Sequence, residues 1–492
     1  MNEGAPLATA TPGANPRPPV EHVLLDLRGK IQPRSVRGRY ASWRVAMVLF
    51  TQALFYGLPW LNWNGRQALL FDLSTRKFHI FWLTLWPQDI VYLAALLIIS
   101  ALSLFLFTAL AGRLFCGYAC PQTVYTEIFM WIERLVEGDR QARLRLDKAP
   151  WSVRKTRLKM TKHAAWFAVA VWTGFTFIGY FAPIRDLGHA LVTLQLSYWQ
   201  GFWMLLFGFA TWGNAGFLRE SVCKYMCPYA RFQSVMIDRD TLLVTYDQQR
   251  GDPRGGRSRQ LDHRAAGLGD CVDCSLCVQV CPTGIDIRNG LQYMCIGCGA
   301  CIDACSQVMK KMRYPAGLIR YTSETALQRS GPDADSGRHW RRALRRPRVL
   351  VYAAVIALLV IGLQLALAVR NPLRLDLIRD RGVLAREVAG GLIENVYQLQ
   401  LINTAPTPLT LRLQATGLPG MTVEVVRGGA GGVGDLVQVA AESNRLLPIR
   451  LRVPAATASS GAHPVQVQAV AVETASAAPI RARESTSFYI PE

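Results

Sequence analysis

Negative charge is scarce in this chain: 34 Asp and Glu stand against 55 Lys and Arg, a formal net charge of +21 over 492 residues. Histidine is scarce too. Of the seven, His163 and His189 fall near the ends of apolar stretches, so no mid-membrane pair is available as haem axial ligands. No C-x-x-C-H occurs, which excludes covalent haem attachment. No P-loop is present either, so nucleotide binding has no support. Residues 1–41 are polar and rich in Pro and Gly, without the apolar run and small-residue cleavage site of a signal peptide. Beyond Cys305 there is no cysteine, so no disulfide is expected in the C-terminal part.

Hydrophobic residues make up 51% and aromatics 10%, and they are concentrated in blocks with the cations beside them. A soluble protein this basic would suggest nucleic acid as a partner. Apolar blocks flanked by Lys and Arg instead indicate a membrane protein with cationic cytoplasmic loops, and no nucleic-acid partner. Five stretches approach the roughly 20 residues needed to cross a hydrocarbon core: 43–63, 89–112, 164–183, 199–218 and 349–369. The fourth is the weakest, because it is rich in Gly and carries Asn214; a buried or interfacial helix is the alternative there. Tryptophans near the ends, such as Trp43, Trp63 and Trp199, suit an aromatic belt.

Cations set the expected orientation. Arg28, Lys30, Arg34, Arg37 and Arg39 precede the first span, and nine Lys or Arg from Arg140 to Lys162 lie between the second and third. Arg338, Arg341, Arg342, Arg345, Arg346 and Arg348 precede the fifth. These place the N-terminus, the 113–163 loop and the 219–348 insert inside, and the C-terminus outside. Arg370, Arg374 and Arg379 sit on the wrong side of that rule but are outnumbered.

The expected architecture is therefore a multi-domain bacterial inner-membrane protein. Residues 1–42 form a cytoplasmic N-terminal segment, and 43–238 a helical bundle with four spans. Residues 239–348 form a cytoplasmic ferredoxin-like insert, 349–369 a fifth span and 370–492 a periplasmic domain. In that last part Leu409, Leu411 and Leu413 alternate with polar neighbours, as do Val423 and Val425, Leu451 and Val453, and Val465 and Val467. Short alternating strands separated by Gly and Pro predict a small β-sandwich.

All twelve cysteines fall between Cys116 and Cys305. Eight of them form Cys271-x2-Cys274-x2-Cys277-x3-Cys281-Pro282 and Cys295-x2-Cys298-x2-Cys301-x3-Cys305. Three thiolates on a tight loop can reach three irons of one cubane, and the fourth of each run ligates the other cluster in paired modules. Cluster one is thus expected on Cys271, Cys274, Cys277 and Cys305, and cluster two on Cys295, Cys298, Cys301 and Cys281. Two zinc sites are the alternative, since zinc also takes four thiolates, but zinc motifs rarely show this spacing twice. Ser306 stands where a second proline is usual.

The other four form a repeat, Cys116-Gly-Tyr118-Ala-Cys120-Pro121 and Cys223-Lys-Tyr225-Met-Cys227-Pro228. Each proline suits the first turn of a following helix, which would put Cys120 and Cys227 at helix N-termini with lowered thiol pKa. Such thiolates are soft ligands for Cu(I), with the Met226 thioether as a possible addition. Packed small hydrophobes, a reversible disulfide or one shared structural zinc remain open as alternatives.

The pattern resembles the CcoG/FixG/RdxA family, accessory proteins of the cbb(3)-type cytochrome c oxidase. The resemblance rests on Pro33-Arg34-x-Val36-x-Gly38-Arg39, Phe71-Asp72-Leu73, Pro87-Gln88-Asp89, both C-x-Y-x-C-P motifs, Tyr246-Asp247, Gly251-Asp252-Pro253-Arg254-Gly255 and the ferredoxin block. It implies an immunoglobulin-like periplasmic tail and a role in maturing the oxidase copper centre by reducing Cu(II) to Cu(I). The eight cluster thiolates would then form an electron wire. Cys116, Cys120, Cys223 and Cys227 would form the copper-facing set. An unidentified cytoplasmic electron donor and oxidase assembly factors or copper chaperones or transporters would be the partners. A quinol dehydrogenase subunit feeding a periplasmic respiratory chain is the second expectation. A non-catalytic redox-sensing scaffold is the third.

Overall fold

A computed structural model describes residues 31–329, 344–379, 385–426, 436–457, 459–472 and 480–491. Arg28, Lys30, Arg338, Arg341 and Arg342, counted above as orienting cations, lie outside these residues. Helices occupy all five apolar stretches. In chain order the principal helices are α1 (Arg39–Gly57), α2 (Ile90–Ala111), α3 (Pro121–Glu137), α4 (Val153–Ile178), α5 (Tyr198–Gly213), α6 (Ala300–Met312) and α7 (Pro347–Ala368). Among the described residues only two are long and apolar enough to cross a membrane, Pro87–Ala111 and Pro347–Ala368. They lie side by side, Tyr92 donating to the Ala366 carbonyl at 3.4 Å. The other three fall short for physical reasons. α1 carries Arg39 and Arg44, the first half of α4 is cationic, and α5 has only 16 residues.

Of the glycines that weakened the fourth stretch, Gly208 and Gly216 are packing devices, as is Gly174 of the third, whereas a Cβ on Gly201 or Gly213 would meet nothing within 4 Å. A Cβ on Gly174 would lie 2.2 Å from the Met204 carbonyl oxygen, and one on Gly208 3.2 Å from that of Ala170. Small residues let α4 and α5 approach backbone to backbone. α5 then continues as a π-helical turn over Asn214–Leu218, and a second π turn spans Val222–Met226. Widened turns of this kind recur at functional sites.

α3 begins at Pro121 and carries three buried glutamates, Glu127, Glu133 and Glu137. Arg143 and Arg219 reach Glu133 at 2.9 and 2.7 Å, while Lys159 and Lys162 reach Glu137 at 3.0 and 2.9 Å. Several cations read as topological signals are therefore held by carboxylates of the neighbouring helix.

Between α1 and α2 runs a small antiparallel sheet, β1 (Leu69–Asp72), β2 (Lys77–Ile80) and β3 (Leu83–Leu85). Strands β4 (Leu243–Tyr246) and β5 (Ile319–Thr322) pair antiparallel and bracket the cysteine-rich insert. The C-terminal part is the expected sandwich. Its strands are β6 (Leu373–Arg379), β7 (Leu392–Asn403), β8 (Leu409–Thr416), β9 (Thr422–Val425), β10 (Leu436–Val439), β11 (Ser443–Pro454), β12 (Gly461–Ala471) and β13 (Arg481–Ile490). One sheet runs β9-β11-β7-β6, with Arg386–Val388 also on β7, and the other β10-β8-β12-β13. Leu409, Leu411, Leu413, Val425, Leu451, Val453, Val465 and Val467 all point into its core, as alternation requires.

Arg370 and Arg374, on the wrong side for a strict charge rule, have a local reason to be there. Both bind the carboxylate of Asp89, Arg374 at 2.6 Å, and the Asp89 side chain is fully buried. This ties the entry to α2 to the exit from α7 and the first strand of the sandwich. Removing one partner of a buried pair leaves uncompensated charge, typically about 3–5 kcal/mol. Asp89→Asn should therefore lower the thermal midpoint of the purified protein markedly. A midpoint equal to the parent's would show that this carboxylate contributes no net stability.

Candidate functional site

The ferredoxin insert offers two tight loops. In the first, Asp273 and Ser275 take left-handed backbone angles (φ 50° and 49°), and Cys277 follows on a short helix, Leu276–Gln279. In the second, Gly297 and Gly299 do the same (φ 65° and 73°), and α6 then carries Cys301 and Cys305. The chain crosses over between them. Cys305 faces Cys277, Cys271 and Cys274, whereas Cys281 neighbours Cys295, Cys298 and Cys301. Each run thus has three thiols near one another and its fourth beside the other run.

Burial pushes the thiols of Cys295 and Cys305 up to about 12 and that of Cys277 to about 11. Buried thiolates need a positive centre, which iron supplies. Among the described residues no three Cys, His, Asp or Glu side chains are arranged to hold one metal ion. Ligands of a cubane bind separate irons and so stand further apart than ligands of a single ion. Eight thiols on two such loops fit a pair of iron–sulfur clusters.

The insert sits directly on the membrane module. A Cβ on Gly117 would lie 2.8 Å from the Ile296 carbonyl oxygen and 3.0 Å from the Cys298 Cα, and one on Gly299 2.8 Å from the Tyr40 ring. Tyr118 donates to the Cys298 carbonyl at 3.1 Å, and Tyr321 donates to that of Gly297. Asp303, buried on α6, accepts from the backbone N–H groups of Tyr40 and Ala41 at 3.3 and 2.8 Å, capping α1. Gly38 is required there, because its Cβ would lie 2.3 Å from the Asp303 carboxyl carbon. Arg44 pairs with Glu127 at 2.7 Å and neighbours Cys298 and Cys281.

Both C-x3-C pairs converge beside this contact. Cys120 and Cys227 adopt extended geometry immediately before Pro121 and Pro228, the first residues of their helices, as expected. Cys223 neighbours Cys120, Cys116 and Cys227, so the four thiols are gathered in one region, although no three of them are arranged to hold a single metal ion. The expected drop in thiol pKa fails for Cys120. Burial raises it, outweighing the N–H groups of Gln122 and Thr123 that favour the thiolate. Burial likewise pushes Cys116 to about 11 and Cys223 to about 12. Met226, the possible thioether, is 60% exposed.

Two residues here carry no signal in sequence. Gln233, fully buried, accepts from the Cys116 thiol at 3.3 Å. Arg113, only 6% exposed, donates to the carbonyls of Tyr293 and Ala230 and neighbours Cys116, Cys223 and Cys227 as well as Cys295. It stands between the four-thiol group and the second cluster quartet. As the first cation after a span it reads as one more topological charge.

Two cubane-type thiol quartets docked on an apolar helical module define a membrane-associated iron–sulfur redox protein that works by electron transfer. Family models agree part by part. A 4Fe-4S binding domain matches residues 93–138, a 4Fe-4S dicluster domain 218–324, and an IG-like fold at the C-terminus of FixG 363–491. The nitrogen fixation protein FixG of Rhizobium meliloti is 39% identical over 458 residues, covering 87% of each chain. Protein RdxA of Cereibacter sphaeroides is 37% identical over 434 residues, 87% of this chain and 90% of its own. The chain belongs to the FixG family. More distantly, the ferredoxin-type protein NapH of Escherichia coli is 23% identical over 275 residues, 52% of this chain and 83% of its own. A solved FixG-related protein from Vibrio parahaemolyticus covers 25% of this chain and 99% of its own, with 21% identity and a TM-score of 0.20.

Gly117 has no room for a side chain against the second cysteine loop. Gly117→Ala should displace that loop and lower the iron and acid-labile sulfide of anaerobically purified protein by about half, one cluster of two. Unchanged iron would show that the contact does not shape the quartet.

Proposed function

We propose that this protein reduces Cu(II) to Cu(I) for assembly of the copper centre of a cbb(3)-type cytochrome c oxidase. Clusters would be held by Cys271, Cys274, Cys277 and Cys305, and by Cys281, Cys295, Cys298 and Cys301; when bound, they supply one-electron transfer. Cys116, Cys120, Cys223 and Cys227 bind the copper substrate. In this reading the chain crosses the inner membrane five times, with the N-terminus and ferredoxin insert in the cytoplasm and the sandwich in the periplasm. The sandwich is then placed to meet oxidase assembly factors or copper chaperones.

The observation that carries this reading is the contact between Cys116-Gly117-Tyr118 and the Ile296–Cys298 loop, closed by the 3.1 Å Tyr118 bond. Cys116 and the three thiols near it then lie beside the second cluster quartet, with the Arg113 guanidinium between them. Thiolates favour monovalent copper over divalent, so the ligands and the electron act in the same direction. Arg113 offsets negative charge on both sides of the junction.

Copper must displace protons from these thiols. With Cys116 and Cys223 raised to about 11 and 12, both remain protonated throughout the neutral range. Apparent Cu(I) affinity should therefore rise with pH from 6 to 8, by about tenfold per unit for each proton released. Competition with a Cu(I) chelator checks this, and a pH-independent affinity would mean that these two thiols are not ligands.

The decisive test uses anaerobically reduced protein, Cu(II) and a Cu(I)-specific chelator. Replacing Cys116, Cys120, Cys223 and Cys227 together by Ser should abolish Cu(I) formation while leaving iron and sulfide at parent levels. Copper reduction at the parent rate in that variant defeats the proposal.

A further inference from the structure

Residues near the proposed cytoplasmic ends of α1 and α2 line a cavity of about 750 Å3 whose walls are almost wholly apolar. Trp43 and Phe107, 59% and 40% exposed, line it from α1 and α2, and in the five-span reading their exposed faces meet lipid. The inner end is different in character. Tyr40, Tyr118 and Tyr321 line it, with the Tyr40 and Tyr321 rings 5.3 Å apart, and Ser103 adds a hydroxyl to the wall.

Two of those phenols touch the second cluster loop. Tyr118 donates to the Cys298 carbonyl and Tyr321 to the Gly297 carbonyl. With their protons so engaged, their oxygens keep lone pairs that accept hydrogen bonds from a ligand. A molecule in this cavity enters from the bilayer, lies against aromatic and aliphatic surface, and presents hydroxyl donors next to a redox centre. A phospholipid acyl chain meets the first two conditions and not the third, since it has nothing to donate.

We propose that the cavity binds the head group of a lipid-soluble quinol, the electron donor to the clusters. The inference rests on the electron flow proposed above and names its source. Oxidation to the quinone breaks the two O–H bonds of the quinol. Its two electrons pass one at a time to the oxidised iron–sulfur centres, and its two protons leave to water at the rim beside Arg39.

The test uses the full chain in lipid nanodiscs under anaerobic conditions. A photoreactive azidoquinone should label peptides of α1 and α2, and unlabelled decylubiquinone should compete that labelling away. Decylubiquinol should bleach the visible absorption of the clusters. Ser103→Trp, which fills the wall, should cut both labelling and bleaching at least tenfold, while dithionite still bleaches its clusters to the parent extent. Competed labelling in the parent keeps the test informative if the variant loses iron. The proposal is overturned if dithionite bleaches the parent's clusters but decylubiquinol does not, or if label falls elsewhere in the chain, and the cavity is then a lipid groove. Cu(II) reduction by dithionite-reduced parent protein is scored separately, so failure of the copper reading leaves a distinct signature.

Discussion

The structure depends on one close contact, the seating of the Cys295–Cys301 loop on the membrane module. Three glycines make it possible from both sides. Gly117 lets the first thiol pair approach the backbone of Ile296 and Cys298, Gly297 faces the Arg113–Leu114 backbone, and Gly299 faces the Tyr40 ring. Tyr118 and Tyr321 then satisfy two carbonyls of the loop, and Asp303 caps α1. One added methyl group at this junction would push the loop away from the membrane module, because close-packed interiors do not absorb added volume.

Charge is handled around that contact by pairing rather than by exposure. Glu133 binds Arg143 and Arg219, Glu127 binds Arg44 and Arg134, and Glu137 binds Lys159 and Lys162. All three carboxylates lie on α3, which starts at Pro121 directly after Cys120. The helix that positions one half of the thiol group is thus also the anchor for the π turns carrying the other half, through Arg219. A large formal positive charge and a tightly packed thiol site coexist because the cations nearest the site have been given partners.

Thiol burial bears on chemistry as much as on stability. Desolvation favours the neutral thiol at Cys116, Cys120 and Cys223 and outweighs the helix N-terminus at Cys120. Such cysteines are poor nucleophiles in the metal-free protein and become thiolates when a metal supplies compensating charge. Thiols held protonated also resist oxidation.

The cluster-binding capacity was legible in the chain itself, because three of the four ligands of each quartet come from one loop and the fourth from the adjacent run. The sandwich was legible for a related reason: period-two alternation over strands such as Leu409–Thr416 encodes which face is buried. Helices were found at every apolar stretch, yet hydropathy alone did not yield five spans. Arg44 on α1 and the cations of α4 serve the junction and its carboxylates, and they dilute the apolar signal. Tertiary structure alone decided what no local pattern encodes. It brought Cys116 and Cys120 to Cys223 and Cys227 across a long stretch of chain, and buried Arg113 and Gln233 among them. It also gave Arg370 and Arg374 their partner in Asp89. The physical reason is range: ligand spacing and strand alternation are interactions between near neighbours in sequence. The joining of two half-sites depends on backbone approach between distant segments, which a sequence records only as an unremarked glycine.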